Sequence, residues 1–187
     1  MPETKRGADE GAANPIAKRQ RKDFEEYTLN VNLAVDKEDE VKSFGDLAAS
    51  PVEVVQGIAE KGAAALEPLG VKTVKDLGTN KFFRWARAIV TLAGKEEEGK
   101  RGEGAMLNID RAVVKDYEKS SLKEIAAAPV AALQGISDKT ALGLKSLHVT
   151  TVKDLAENKY ARWCEAISTL AETERLDAEN AQLKRLS

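Results

Sequence analysis

The sequence predicts an all-α protein built from two tandem copies of a small five-helix domain behind a disordered N-terminal tail. Three observations carry this reading. Leu29 to Ala93 aligns without a gap onto Leu107 to Ala171 at a constant offset of 78 residues, with 33 of 65 positions identical. Near the end of each copy, apolar residues recur at helical spacing: Phe82, Trp85, Ile89 and Leu92, then Tyr160, Trp163, Ile167 and Leu170. Matched Thr, Asn and Pro residues mark helix starts in both copies. A repeat of this length defines two units of about 65 residues, each too small to be very stable alone, since such a unit buries only about 60% of its unfolded surface.

The chain divides into a tail (1–28), a first repeat (29–93), a linker (94–106), a second repeat (107–171) and a C-terminal helical extension (172–187). The tail is rich in Gly, Ala and charge and shows no apolar period before Phe24 and Tyr27, which predicts disorder. In each repeat Asn30 or Asn108 is placed to cap a first turn. A helix follows at Phe44 to Ala49 and at Leu122 to Ala127. Pro51 and Pro129 then suit the first position of another helix, where a missing amide costs nothing. Further helices are expected over Glu60 to Leu69 and Asp138 to Leu147. Thr73 with Asp76, and Thr151 with Asp154, resemble a capping box that opens a short helix. Asn80 and Asn158 cap the last and longest helix, whose Trp-centred stripe is expected to face its own core.

The linker holds four glycines and seven charges within Gly94 to Ala105, so it is expected to be flexible. In the extension, Leu176 and Leu183 stand one heptad apart around Asn180, too short a run for an independent coiled coil.

Composition narrows the function. Hydrophobic residues at 42% and charged residues at 32% describe a globular chain, and no stretch approaches the ~20 apolar residues of a membrane span. The N-terminus lacks a secretory apolar core, and one cysteine makes no internal disulfide, so a reducing compartment is expected. The tail carries basic residues in two groups, Lys5 and Arg6, then Lys18, Arg19, Arg21 and Lys22. Their spacing resembles a bipartite nuclear import signal and suggests a nuclear location, with a cytoplasmic one as the alternative. The first copy has 8 basic and 9 acidic residues and the second 9 and 8, so neither shows the positive excess of a dedicated phosphate-backbone binder.

Residues Pro51 to Leu66 followed by Leu69-Gly-Val-Lys-Thr-Val-Lys-Asp-Leu77 form the most specific pattern. Its second occurrence is Leu133 to Leu144 followed by Leu147-His-Val-Thr-Thr-Val-Lys-Asp-Leu155. Each resembles a helix-hairpin-helix unit, similar to the RNA polymerase alpha C-terminal domain and the recombinase N-terminal domain. The resemblance implies a SAM-like helical fold and a hairpin contact to a nucleic-acid backbone through Gly57, Ile58 and Lys61, and through Gly135, Ile136 and Lys139. This chain departs from the pattern twice in each copy. The second hairpin glycine is replaced by Ala59 or Ser137, and an acid follows at Glu60 or Asp138, where it would repel a phosphate.

Differences between the copies point instead to protein contacts. Phe83, Ala86 and Val90 make a bulky row on the last helix of the first copy, and Ala161, Cys164 and Ser168 a row of small residues on that of the second. A bulky row beside a shallow one suits an interface between the repeats or with a partner. Glu53 against Ala131, Glu67 against Lys145 and Arg87 against Glu165 are expected on unlike outer surfaces. A non-enzymatic adaptor binding protein partners is therefore the leading expectation, with a nucleic-acid accessory protein as the alternative. Catalysis is disfavoured. The one histidine, His148, replaces Gly70 at a helix end, Cys164 replaces Ala86 within a helix, and no cluster has metal-ligand or cofactor-binding spacing. No cofactor is expected.

Overall fold

Side-chain caps mark the start of seven of the eight α-helices among the described residues, all but the one that begins at Glu60. The structure, a computed structural model, describes residue 24 and residues 26–175. The first repeat supplies α1 (Phe44–Ala49), α2 (Glu60–Leu66), α3 (Val74–Thr79) and α4 (Lys81–Ala93). The second supplies α5 (Leu122–Ala127), α6 (Asp138–Leu144), α7 (Val152–Glu157) and α8 (Lys159–Ala171). Ser43 accepts from the Asp46 amide at 3.0 Å at the start of α1. Thr73 with Asp76, and Thr151 with Asp154, close complete capping boxes on α3 and α7. Asn80 and Asn158 accept from the Phe82 and Ala161 amides, each at 3.0 Å, and open the two long helices.

Three local expectations are corrected. Pro51 and Pro129 stand one residue before short 3₁₀ turns, Val52–Val54 and Val130–Ala132, rather than inside an α-helix. There each proline joins an isolated bridge, Pro51 to Thr73 and Pro129 to Thr151. Asn30 and Asn108 turn backward, their side-chain amides donating to the Thr28 and Met106 carbonyls. The helices over Glu60 to Leu69 and Asp138 to Leu147 tighten to 3₁₀ geometry over their last three residues. Among the described residues there is no strand, and the fold is all-α.

The repeat sets out two units, with rows on their last helices that suit an interface between them or with a partner, and Val31–Glu174 is one compact unit. The long helices explain why. The most extensive packing of α4 is against α7 and α5 of the second repeat, and that of α8 is against α3 and α1 of the first. Each repeat thus covers the other's core with its own last helix, while α2 and α6 pack together. The exchanged surfaces are apolar. Phe82, Phe83, Ala86, Ile89 and Ala93 are buried on α4, and Ala161, Cys164 and Ile167 on α8. Burying a phenylalanine side chain contributes roughly 1.5–3 kcal/mol. The exchange makes one larger core out of two marginal ones.

Matched carboxylates just beyond α4 and α8 fasten the exchange. Glu96 accepts from the Leu122 and Lys123 amides, both at 3.0 Å, at the start of α5. Glu174 accepts from the Phe44 and Gly45 amides, both at 2.9 Å, at the start of α1. A carboxylate there satisfies amides that the helix leaves free and complements its dipole. Glu96 lies within the stretch read as a flexible linker, so the beginning of that stretch is tied to the second repeat.

Of the unit formed by the chain ends, the described residues place the Phe24 and Tyr27 rings edge to face, 5.2 Å apart. Leu176 and Leu183 lie outside the described residues, as do Lys5, Arg6, Lys18, Arg19, Arg21 and Lys22.

Candidate functional site

Three places hold the residues singled out from the sequence: the two glycine turns, the rows on the long helices and the groove between those helices.

At the turns, Gly57 and Gly135 adopt φ of 95° and 104°, which side chains rarely tolerate. Both glycines are exposed, and each also meets an aromatic ring of the opposite repeat on one side. A Cβ on Gly57 would lie 2.8 Å from the Tyr160 Oη, and one on Gly135 would lie 3.2 Å from the Phe82 Cζ. The first residues of the exchanged helices therefore rest on the turns of the opposite repeat. Ile58 and Ile136 are buried, while Lys61 and Lys139 are exposed. Tyr160 stacks edge-on against Trp163 at 5.8 Å, and Lys159 stands 4.9 Å from the Tyr160 ring. Phe82, Trp85 and Lys81 repeat the arrangement, with ring centroids 5.8 Å apart.

The stripe read as facing each repeat's own core needs correction. Trp85 and Trp163 are only half-buried, and Leu92 and Leu170 are 57% and 44% exposed. The neighbouring row goes deeper. Phe83 and Ala86 are buried and Val90 half-buried on α4, and Ala161, Cys164 and Ser168 are buried on α8. Ser168 hides its hydroxyl by donating to the Cys164 carbonyl at 2.7 Å. The small residues on α8 accompany a close crossing, since a Cβ on Gly78 of α3 would lie 2.5 Å from the Cys164 carbonyl oxygen. At the corresponding place on α7 the residue is Ala156, buried under the bulkier α4.

Arg87 and Glu165 correct another expectation. Read as unlike outer surfaces, they instead form an ion pair with each other, although each occupies the other's position in the repeat. A residue that meets its own counterpart sits where the two repeats are related by a pseudo-twofold axis. Identical charges there would repel, and the opposite pair attracts. Arg84 and its counterpart Arg162 flank it. Partial burial, with repulsion from Arg162 and Arg84, lowers the pKa of the Arg87 guanidinium, and its Nε is buried without a hydrogen-bond partner. Around these side chains lies an open groove of about 740 Å³, walled by Val90 and Thr91 from α4 and by Ala166, Thr169 and Leu170 from α8. Arg84 and Leu92 continue it on the other side of the pair.

The remaining reactive groups are quiet. Burial pushes the Cys164 thiol up to about 12, far from a thiolate nucleophile. His148 closes its helix with φ of 59°, the left-handed turn that Gly70 makes at 78°. Among the described residues no group of His, Cys, Asp and Glu is placed to hold a metal ion, and no helix is long and apolar enough to cross a membrane.

Sequence reasoning missed the groove and the two carboxylate caps. The caps left a signal, because Glu96 and Glu174 preserve the 78-residue offset three residues beyond the aligned repeat. No protein-family model, curated protein or solved structure matches the chain.

Proposed function

We propose that the chain is a non-catalytic adaptor that binds protein partners. Its helix-hairpin-helix-like repeats serve as scaffold, and the basic tail serves as a nuclear import signal. The observation that carries this reading is the aromatic contact that each glycine turn makes with the opposite repeat, together with the acid that follows each turn. A hairpin that grips a backbone phosphate needs its amides and the following helix start open to the ligand. Here an aromatic ring from the opposite repeat rests on each turn, and an acid opens each following helix. The glycines that the resemblance would assign to a phosphate thus have an internal use.

The second support is rigidity with unlike faces. Exchanged helices hold both repeats in one unit, while exposed Glu53 and Glu67 stand where the second copy has Ala131 and Lys145. A partner is offered two different surfaces at a fixed separation, which favours simultaneous engagement. Exposed Lys61 and Lys139 keep nucleic-acid backbone binding as the competing reading.

The test is affinity purification of the tagged full chain, paired with a low-salt gel shift on duplex and single-stranded DNA. The adaptor reading expects reproducible protein partners that survive nuclease treatment, and no shift. A salt-sensitive shift, abolished by Lys61→Glu with Lys139→Glu, would replace it with the nucleic-acid reading.

A further inference from the structure

We propose that the outer faces of α4 and α8 are two copies of one docking surface, each receiving an acidic amphipathic helix of a partner protein. The inference rests on the adaptor reading and names the surface the adaptor uses. Comparison of the two long helices carries it. Lys81, Arg84, Trp85, Ala88, Thr91 and Leu92 fall on one side of α4, all exposed except the half-buried Trp85. Each has the identical residue 78 places on, along the same side of α8 and equally exposed. On the inward side of the same helices, five of the seven positions differ. Exposure by itself preserves nothing in this chain, since of the 26 exposed positions from Leu29 to Asn80 only 9 are identical in the second repeat. The outer face has thus stayed the same while the contacts beneath it diverged.

Needs inside the unit do not explain that face. Among the described residues neither Arg84 nor Arg162 makes an ion pair, and Leu92 and Leu170 are 57% and 44% exposed. Lys81 and Arg84 also put positive charge in a first turn, where the helix dipole favours negative. The cavities on the two sides of the Arg87–Glu165 pair show the same equivalence. One is lined by Arg162, Ala166, Thr169 and Leu170 of α8, the other by Arg84, Ala88, Thr91 and Leu92 of α4. The shape suits a helix. Trp85 and Leu92 stand one heptad apart with the small Ala88 between them, a seam onto which a second helix can pack closely. Charge selects which helix. Each face carries a Lys and an Arg and no acid, Arg87 and Glu165 cancel at its border, and Glu157 beside Arg162 lies 3.8 Å from Lys153. An apolar seam flanked by acids complements this face, and one flanked by bases does not.

The experiment displays helical peptides with a fixed leucine seam and flanks free to be Glu or Lys, and selects them on the full chain. The proposal expects Glu-flanked winners. Titrated by calorimetry, the selected peptide should occupy two equivalent sites per chain. Leu92→Ser, at an exposed position, should leave the thermal melt unchanged and reduce the two sites to one, and adding Leu170→Ser should remove both. Arg84→Glu with Arg162→Glu should weaken binding at least about tenfold with the seam intact. Lys-flanked winners, no enrichment, a single site per chain, or indifference to the leucine variants would overturn the proposal. So would a dimer of the free chain that the Leu92→Ser, Leu170→Ser double variant disperses, which assigns the faces to a second copy. Repeating the affinity purification with that double variant separates the two readings. Unchanged partners would sink the docking faces and leave the adaptor standing.

Discussion

Three single residues carry testable demands: one on the fit between repeats, one on a backbone turn and one on a helix cap. Gly78 touches the backbone of α8, so Gly78→Ala forces the crossing apart. Added helix propensity is worth about 1 kcal/mol in its favour, but overpacking against backbone costs about 1–3 kcal/mol or more. A net fall in the midpoint of urea unfolding is expected, and an unchanged or raised midpoint would show that α8 does not lie there. His148 holds a left-handed turn without being glycine, so His148→Gly should stabilise by about 1 kcal/mol in the same assay. Asp154 gives the pH dependence. The Thr150 hydroxyl leads the hydrogen bonds that hold its carboxyl down to about 2, against the opposing effect of partial burial. Because this folded-state value lies below the ordinary one near 3.9, its stabilisation is complete above about pH 4 and is lost as the pH falls toward 2. Asp154→Asn should therefore cost stability at pH 6 and flatten the acid limb of a stability profile; an unaltered acid limb would refute this. His148 was legible because the repeat sets it against Gly70. Gly78 was not, because nothing in a local pattern reveals which backbone passes over it.

The long helices carry the exchange. Phe83 of α4 is 2% exposed, whereas Trp85 is half-buried. Phe83→Ala should accordingly cost about 3–5 kcal/mol, and Trp85→Ala less, in paired thermal melts. The reverse order would place α4 on the wrong face. Periodicity correctly shows that these helices have an apolar side, and Asn80, Asn158 and the two threonine capping boxes are readable from residue type and spacing. Periodicity does not show whose core that side covers. The stripe of Phe82, Trp85 and Ile89 and the row of Phe83, Ala86 and Val90 are offset by one residue and lie side by side on the helix surface, so the sequence admits both. The exchange buries Phe82 and Ile89 of the stripe together with Phe83 and Ala86 of the row, and leaves Leu92 outside. Glu96 and Glu174 complete each helix's hold on the opposite repeat. Removing both as Glu96→Ala with Glu174→Ala should cost on the order of 1 kcal/mol each, as lost caps do, and a double variant as stable as the parent would show that these carboxylates hold nothing.

At the scale of the whole molecule, the repeat made the all-α fold and its internal equivalences legible and the unlike rows on the long helices offered a contact between the repeats, while the exchange of those helices emerged only from the packing. Tandem copies with separate cores and tandem copies with exchanged helices share every local signal: caps, turns and apolar rows are the same in both. They differ in cooperativity. One exchanged core should unfold in a single transition, because losing α4 uncovers the second repeat and losing α8 uncovers the first. They also differ in what half a chain can do. Residues 24–105 lack the α8 that covers α1 and α3, and residues 106–175 lack the α4 that covers α5 and α7. Pairing two identical halves would set Arg87 against Arg87 or Glu165 against Glu165, whereas the unlike pair restores the native ion pair. The most direct test is sedimentation and circular dichroism of the two halves, alone and mixed in equal amounts. Exchanged helices predict poorly folded halves that combine into a helical one-to-one complex. Two halves that are each folded, monomeric and indifferent to one another would contradict the account.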